Sequence, residues 1–169
     1  MEFRRIEHLP PYVFGLVNAR KLAARRAGAD IVGLGFGDSD LPSPPRVVEK
    51  LIEAARNPRN HRYSASRGLP NLRKAVADRY MRRFGVELDP ETEVINTIGA
   101  KERLAHLMWT LVQPGDAAIV PDPSYPIHIY APVLAGADIR KAPVTPEEDY
   151  FEVVEDIFRN SWPRPRVMI

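Results

Sequence analysis

Apolar and polar positions alternate along this chain with two periods, and the elements it predicts follow from where each period holds. Between 13 and 26, Phe14, Val17 and Leu22 fall on one side and Arg20, Lys21, Arg25 and Arg26 elsewhere, which predicts a helix ended by Gly28. Val47, Val48, Leu51, Ile52 and Ala55 recur at i, i+3, i+4 and predict a helix over about 45–55. Pro70 suits the first turn of the next, where Leu72, Val76 and Tyr80 lie one turn apart and Gly85 stands past the end. Leu104, Leu107, Met108, Leu111 and Val112 face one way over 101–112, and Pro114-Gly115-Asp116 stops that helix. Helices are also predicted over 125–134, followed by Gly136, and over 149–160, where Phe151, Val154 and Phe158 share a face. Short runs at 31–34, 94–98, 117–120 (ending at Pro121), 137–142 and 167–169 read as strands, residues 1–11 as an extended arm ending in Pro10-Pro11, and 35–44 and 57–68 as loops. Strands alternating with helices from about residue 93 imply an α/β domain with a mostly parallel sheet, in which ligands bind at the carboxyl ends of strands.

Composition narrows the function classes. The 169 residues carry a net charge of only +2, with arginines interspersed among acids along helices, so solvated helix faces account for them and a nucleic-acid surface does not. Cysteine is absent, which excludes a disulfide framework, a thiolate zinc site and a cysteine nucleophile and fits a reducing cytoplasm. The four histidines show no metal-ligand spacing, so no metal site is expected. No apolar run is long enough for a membrane span, and residues 1–11, with Glu2 and Glu7, have no signal-peptide core. The last run, Val167-Met168-Ile169, has nothing after it to cover it or return the chain, the expected mark of a chain cut within a domain.

Three segments carry candidate chemistry. Thr97-Ile98-Gly99-Ala100-Lys101-Glu102 places a glycine turn between a strand and a helix, with unpaired helix N–H groups, the positive end of the dipole and a lysine together, a setting for phosphate. By itself it reads more readily as an ordinary βα turn, with Lys101 exposed and Glu102 favouring the helix start; it is neither a Walker A loop nor a G-x-G-x-x-G. Val120-Pro121-Asp122-Pro123-Ser124-Tyr125-Pro126 follows a strand and is stiffened by prolines, so it presents Tyr125 as a fixed flat ring, for stacking on a ligand or for anchoring the loop. Tyr63, Ser64, Ser66 and Arg67 before a glycine form either an anion-binding set or a polar helix entry.

Taken together, these segments resemble the class I/II aminotransferases, enzymes of the pyridoxal 5′-phosphate type I fold, and within them the glutamate–pyruvate (alanine) and LL-diaminopimelate aminotransferases. The resemblance rests on Leu9-Pro10-Pro11-Tyr12-Val13-Phe14, Tyr63-Ser64-x-Ser66-Arg67-Gly68-x-Pro70-x-Leu72-Arg73, Thr97-Ile98-Gly99-x-Lys101-Glu102-x-Leu104-Ala105-His106-Leu107 and Pro121-x-Pro123-Ser124-Tyr125-Pro126-Ile127-His128-x-Tyr130, in family order. It spans the chain but less than half of a family member, the N-terminal part. It implies residues 1–44 as arm and part of a small domain, and 45–169 as the first part of a large cofactor-binding domain. It implies that the backbone at Ala100 and Lys101 grips the cofactor phosphate, that Tyr125 stacks on its ring, and that Tyr63 reaches the phosphate held by the partner subunit of a homodimer. Gly37 would lie by its backbone against the substrate carboxylate, and Tyr12 would line the substrate pocket. The substrates would be an amino acid and a 2-oxo acid.

The sequence also departs from the family. Serine is usual where Ala100 stands, so one phosphate hydrogen bond is missing, about 1.5–3 kcal/mol for a bond to a charged group. Glycine is usual where Arg103 stands, asparagine where Asp122 stands and glycine where Ala131 stands. The family's ring-binding asparagine and aspartate, its Schiff-base lysine within a serine–lysine segment and its substrate-binding arginine have no counterpart in these residues, so no catalytic residue is assigned and the chain alone is expected to be inactive. The family's first strand pairs with its last, so 94–98 is expected to lack a neighbour. The alternative function is a non-catalytic binding or assembly module on the same partial fold. A transcription regulator would need a DNA-binding domain, for which residues 1–45 are too short.

Overall fold

A computed structural model describes residues 4–7, 9–35, 37 and 40–169. They form two units, residues 1–33 with 98–169 and residues 34–97.

In the first unit, β1 (Ala117–Asp122) is the central strand of a parallel sheet ordered β2-β1-β3, with β2 (Asp138–Pro143) on one side and β3 (Pro165–Met168) on the other. Ala117 to Val120 are buried without alternation, as a strand covered on both faces requires. Ala117 pairs with Asp138 and Ala118 with Ile139; on the other edge the register shifts by one residue between Ala117↔Pro165 and Ala118↔Val167. The chain leaves β1 through α6 (Pro126–Ala135) to reach β2, then crosses back past β1 through α7 (Tyr150–Asn160) to reach β3. Right-handed crossovers in opposite directions put these helices on opposite faces, and the packing agrees. Ala118 meets Met108 of α5 (Ala100–Leu111), Val112, Ala131 and Ala137 on one face, while Ile119 lies with Phe151, Val154 and Phe158 of α7 on the other. The alanines at 118 and 131 let α5 and α6 approach the sheet closely. The N-terminal part of this unit contributes the short α1 (Arg4–Glu7) and α2 (Val13–Arg26).

In the second unit, α3 (Pro45–Arg56) is followed by a 3₁₀ turn (Pro58–Asn60) and α4 (Pro70–Phe84). The last turn of α3 is closed by side chains: Asn60 Nδ2 donates to Ala54 O at 2.8 Å and His61 Nε2 to Ala55 O at 2.7 Å. Arg73, only 5% exposed, is the hub of this unit. Its guanidinium donates to Pro90 O (2.8 Å), Gly68 O (2.7 Å) and both Glu91 carboxylate oxygens (2.8 Å). Gly68 has φ +84°, and a Cβ there would stand 2.4 Å from the Asn96 Cβ, so no other residue fits.

Several expectations are corrected. Segments 31–34 and 94–98 are not strands: among the described residues neither has a hydrogen-bonded strand neighbour, and without a ladder an apolar run stays irregular. For 94–98 the family-based expectation of a missing neighbour agrees with this. The arm is not extended throughout, since Arg4–Glu7 forms one helical turn; residues 1–3 and 8 of it, and 36, 38 and 39 of the expected loop, lie outside the described residues. β1 also runs past Pro121. The odd-numbered residues of β1 face β3, as the bond from Ile169 N to Ile119 O shows, and pairing with β3 ends at Ile119, so the N–H that Pro121 lacks has no partner to lose.

Candidate functional site

The site forms where the N-terminus of α5 and the loop after β1 come together. α5 leads into β1 through the turn at 113–116, so it runs antiparallel to the strands and its first turn lies toward their carboxyl ends. Gly99 precedes that turn at φ +91°, a left-handed conformation that glycine adopts without strain. No side chain caps α5. The acid of its first turn, Glu102, is turned elsewhere: one carboxylate oxygen accepts from Ile98 N and the other lies 3.7 Å from His106 Nδ1. The N–H groups of Ala100 and Lys101 therefore remain open at the positive end of the helix dipole, and both residues are exposed.

Tyr125 is the residue immediately before α6, with Pro126 and Ile127 starting the helix behind it. Its ring is 41% exposed. The Lys101 ammonium lies 5.3 Å from the ring centroid. A hydrogen bond that the Lys101 ammonium donates to the Tyr125 phenolic oxygen, and then the negative charge of that oxygen when ionised, hold Lys101 above the ordinary lysine range; burial opposes this and Tyr12 adds to it. Lys101 is thus a fixed cation at every physiological pH.

The N-terminal arm completes one wall. Tyr12 packs edge-on against Phe14 (centroids 5.5 Å) and tilted against Tyr130 (6.5 Å), and Phe14 in turn lies 6.2 Å from Tyr125. The Tyr130 hydroxyl donates to Pro10 O at 2.8 Å. On the other side of Tyr125, the His128 ring meets it edge-on at 6.1 Å, and His128 Nδ1 and Ser124 Oγ lie 3.1 Å apart. At the carboxyl end of β1, Asp122 pairs with Lys141 of β2 at 3.0 Å, so its charge does not stand alone.

Of the residues singled out in the sequence, Ala100, Lys101, Tyr125 and Tyr12 are brought together in the first unit. Tyr63 and Gly37 belong to the second unit, where Tyr63 is fully exposed on the loop after the 3₁₀ turn and Gly37 is exposed in the loop before α3. Phe14, His128 and Tyr130 lay within the quoted stretches but had no role assigned; their aromatic character at short spacing from Tyr12 and Tyr125 was the available signal. Among the described residues no group of three or more His, Cys, Asp or Glu could hold a metal ion, and no helix is long and apolar enough to cross a membrane.

The arrangement has a chemistry of its own. Open N–H groups and an ammonium suit a phosphate dianion, and an exposed phenol ring about 5 Å away, by the centroid distance given above, suits a flat aromatic ligand. The donors therefore fit a phosphorylated aromatic cofactor.

Comparison with known proteins points the same way. The family model "Aminotransferase class I and II" matches residues 29–160. The chain is 50% identical over 167 residues to the glutamate-pyruvate aminotransferase AlaC of Escherichia coli, covering 99% of the chain and 40% of that protein. It is 42% identical over 166 residues to an LL-diaminopimelate aminotransferase of Dehalococcoides mccartyi, covering 98% of the chain and 42% of that protein. Among solved structures, a double mutant of the aspartate aminotransferase of Thermus thermophilus superposes with a TM-score of 0.80 at 31% identity, covering 99% of the chain and 44% of that structure. The chain thus spans about two fifths of the length of its relatives.

Proposed function

The chain belongs to the class I and II aminotransferases, and from that premise we propose that it is the N-terminal part of an enzyme moving an amino group between an amino acid of the alanine/glutamate type and a 2-oxo acid. Members of this family use pyridoxal 5′-phosphate. When bound, that group supplies an electron sink which lets an amino group leave one carbon skeleton and join another. The observation that carries the reading is the open first turn of α5 with the Lys101 ammonium beside the exposed Tyr125 ring.

In this reading Ala100 and Lys101 hold the phosphate by their backbone N–H groups, and the Lys101 side chain adds charge. Tyr125 stacks on the ring and fixes its plane. Tyr12 lines the substrate side, and Gly37 meets the substrate carboxylate through its backbone. Tyr63 reaches the phosphate of the second subunit in a homodimer. Residues 1–44 serve as arm and part of a small domain, and 45–169 open the large domain. The protein works in the cytoplasm. The 169 residues alone bind without turning over, because no serine–lysine segment supplies the lysine that anchors the cofactor.

Alanine at 100 and arginine at 103 favour the second reading, a partial fold that binds without chemistry. One titration tests the site and the inactivity of the chain alone, on which both readings rest. Pyridoxal phosphate is added to the purified chain, to Lys101→Met and to Tyr125→Ala, and transfer from alanine to 2-oxoglutarate is measured beside free cofactor. Binding that weakens about tenfold in each variant, with no transfer above the free cofactor, is the expected result. Transfer by the chain alone would overturn its inactivity, and equal binding by all three proteins would overturn the site.

A further inference from the structure

We propose that Tyr130 is a positioning residue that latches the N-terminal arm across the substrate side of the site. The proposal rests on the reading of the site given above. Tyr130 lies on α6, five residues after Tyr125, and its hydroxyl donates to Pro10 O at 2.8 Å, a bond spanning 120 residues of sequence. The acceptor is a backbone carbonyl just before Tyr12, so the bond fixes the arm's path rather than one side chain. Downstream of it the arm turns into α2, where Gly15 N and Leu16 N donate to Tyr12 O at 3.0 and 3.3 Å. Tyr12 and Phe14 are thereby set between two rings of the α6 region: Tyr12 against Tyr130 at 6.5 Å and Phe14 against Tyr125 at 6.2 Å.

The hydrogen bond supplies what these contacts lack. Tyr12 is 51% exposed and makes tilted or edge-on ring contacts, each of which tolerates sliding. A directed O–H···O=C bond does not tolerate it. Tyr130 therefore acts through Tyr12 and Phe14 on the substrate side of the site, and in this reading touches neither cofactor nor substrate. Loss of the hydroxyl frees the arm and leaves the phosphate end intact.

The test compares the 169-residue chain with Tyr130→Phe, which keeps the ring and removes only the hydroxyl. The ring signals of Tyr125 and Tyr12 are followed by NMR with labelled tyrosine, and amide exchange is followed across the chain. The expected result is faster exchange at Gly15 and Leu16, by about two- to tenfold for one neutral hydrogen bond. Exchange at Val120 stays unchanged, and the Tyr125 ring signals move toward those of free tyrosine as Phe14 departs. The Tyr125 signature separates a latch from a merely stabilising bond, which would not alter that ring. Unchanged Tyr125 signals overturn the latch, as does exchange that accelerates equally in β1 and the arm. Pyridoxal phosphate added to both proteins reads the other question: affinities agreeing within about twofold are expected where the latch spares the phosphate end. A wild-type chain that binds no cofactor overturns the reading of the site, while the arm signals still decide the latch on their own.

Discussion

The two units are ordered by opposite means. Residues 98–169 are held by apolar burial: Met108, Val112, Ala118, Ala131 and Ala137 form one cluster around β1. Among the described residues of 34–97 the buried apolar side chains are Ala77 and Val94, and the deepest interaction is the polar hub at Arg73. The contrast is sharpest between α3 and α5. Helix α3 has the cleaner apolar stripe, yet Val47, Val48, Leu51 and Ile52 are all exposed within their unit, whereas α5 places Met108 at 3% exposure. An apolar stripe foretells a helix; what covers the stripe is a separate matter, settled by other parts of a fold.

The largest expected effect tests the apolar side of this comparison. Met108→Ala removes a buried side chain between α5, Val112 and the alanines of β1 and α6, and should destabilise the first unit by about 3 kcal/mol, within the usual range for such truncations. Urea unfolding followed by Trp109 fluorescence and amide exchange in β1 would report it. Loss of protection confined to α5, with β1 unaffected, would show that the cluster is not a single core.

The polar side should respond almost as strongly, and differently to two partners. Arg73→Met keeps the volume but strands the carbonyls of Gly68 and Pro90, and should weaken the second unit by about 2–3 kcal/mol. Glu91→Gln should cost under about 1 kcal/mol, because the Glu91 side chain is 63% exposed and water replaces the lost ion pair. Arg73→Lys should resemble the methionine variant more than the wild type, since an ammonium cannot reach three acceptors as a planar fork does. Amide exchange over 67–96 reads all three. Equal effects of Arg73→Met and Glu91→Gln would show that the ion pair, and not the carbonyl bonds, carries the hub.

How much of this was legible in the sequence follows the same division. Helix α2 was readable at its bounds, 13–26, and the ends of α4 at Pro70 and Gly85, because periodicity, a first-turn proline and a terminal glycine are local signals. β1, β2 and β3 were readable as short runs set between turns and helices. The runs at 31–34 and 94–98 misled because a strand is defined by a neighbour, and a single sequence does not show pairing. The Arg73 hub was invisible as such: an arginine one turn into a helix looks solvated until the carbonyls of Gly68 and Pro90 are brought to it. Tyr125, Lys101 and Ala100 were picked out by motif and order, and their proximity was not. Tyr130 and Pro10 stand 120 residues apart, a contact that no local pattern announces.

A smaller effect concerns the seam between a capped and an uncapped helix start. Asp149 caps α7 by accepting from Phe151 N at 2.8 Å and Glu152 N at 3.2 Å, while α5 has no side-chain cap. Asp149→Ala should cost about 1 kcal/mol and fray α7. Ala100→Ser adds a hydroxyl beside the open turn of α5 and should tighten inorganic phosphate binding several-fold if that turn is the phosphate site. Phosphate titration of wild-type and serine-bearing chains checks it, and identical affinities would remove α5 from the site.

The smallest expected effects are those of pH, and they have opposite signs in the two units. Asp89 is held below the ordinary carboxylate value of 3.8, first by the Thr92 hydroxyl at 2.6 Å and then by Glu91 N–H at 2.9 Å, with burial opposing and the Arg67 charge assisting. Its folded pKa lies below its unfolded one, so its contribution is complete above pH 3.8 and is lost as pH falls through the lowered folded value. Lys101 is displaced the other way, chiefly by Tyr125, so its contribution is complete below 10.5 and is lost as pH rises through the raised folded value. Both groups are open to solvent, and each change should be local. Acid should loosen the turn at 89–93, seen in the amide signals of Glu91 and Thr92, and leave the Tyr125 ring signals in place. Alkali should neutralise the Lys101 ammonium, seen in the signals of its own side chain, and leave that turn alone. Asp89→Asn should abolish the first response. A turn that loosens in acid in the Asp89→Asn chain as in the wild type would assign the acid response to another carboxylate of that turn, Glu93 being the one that accepts from Asp89 N at 2.8 Å.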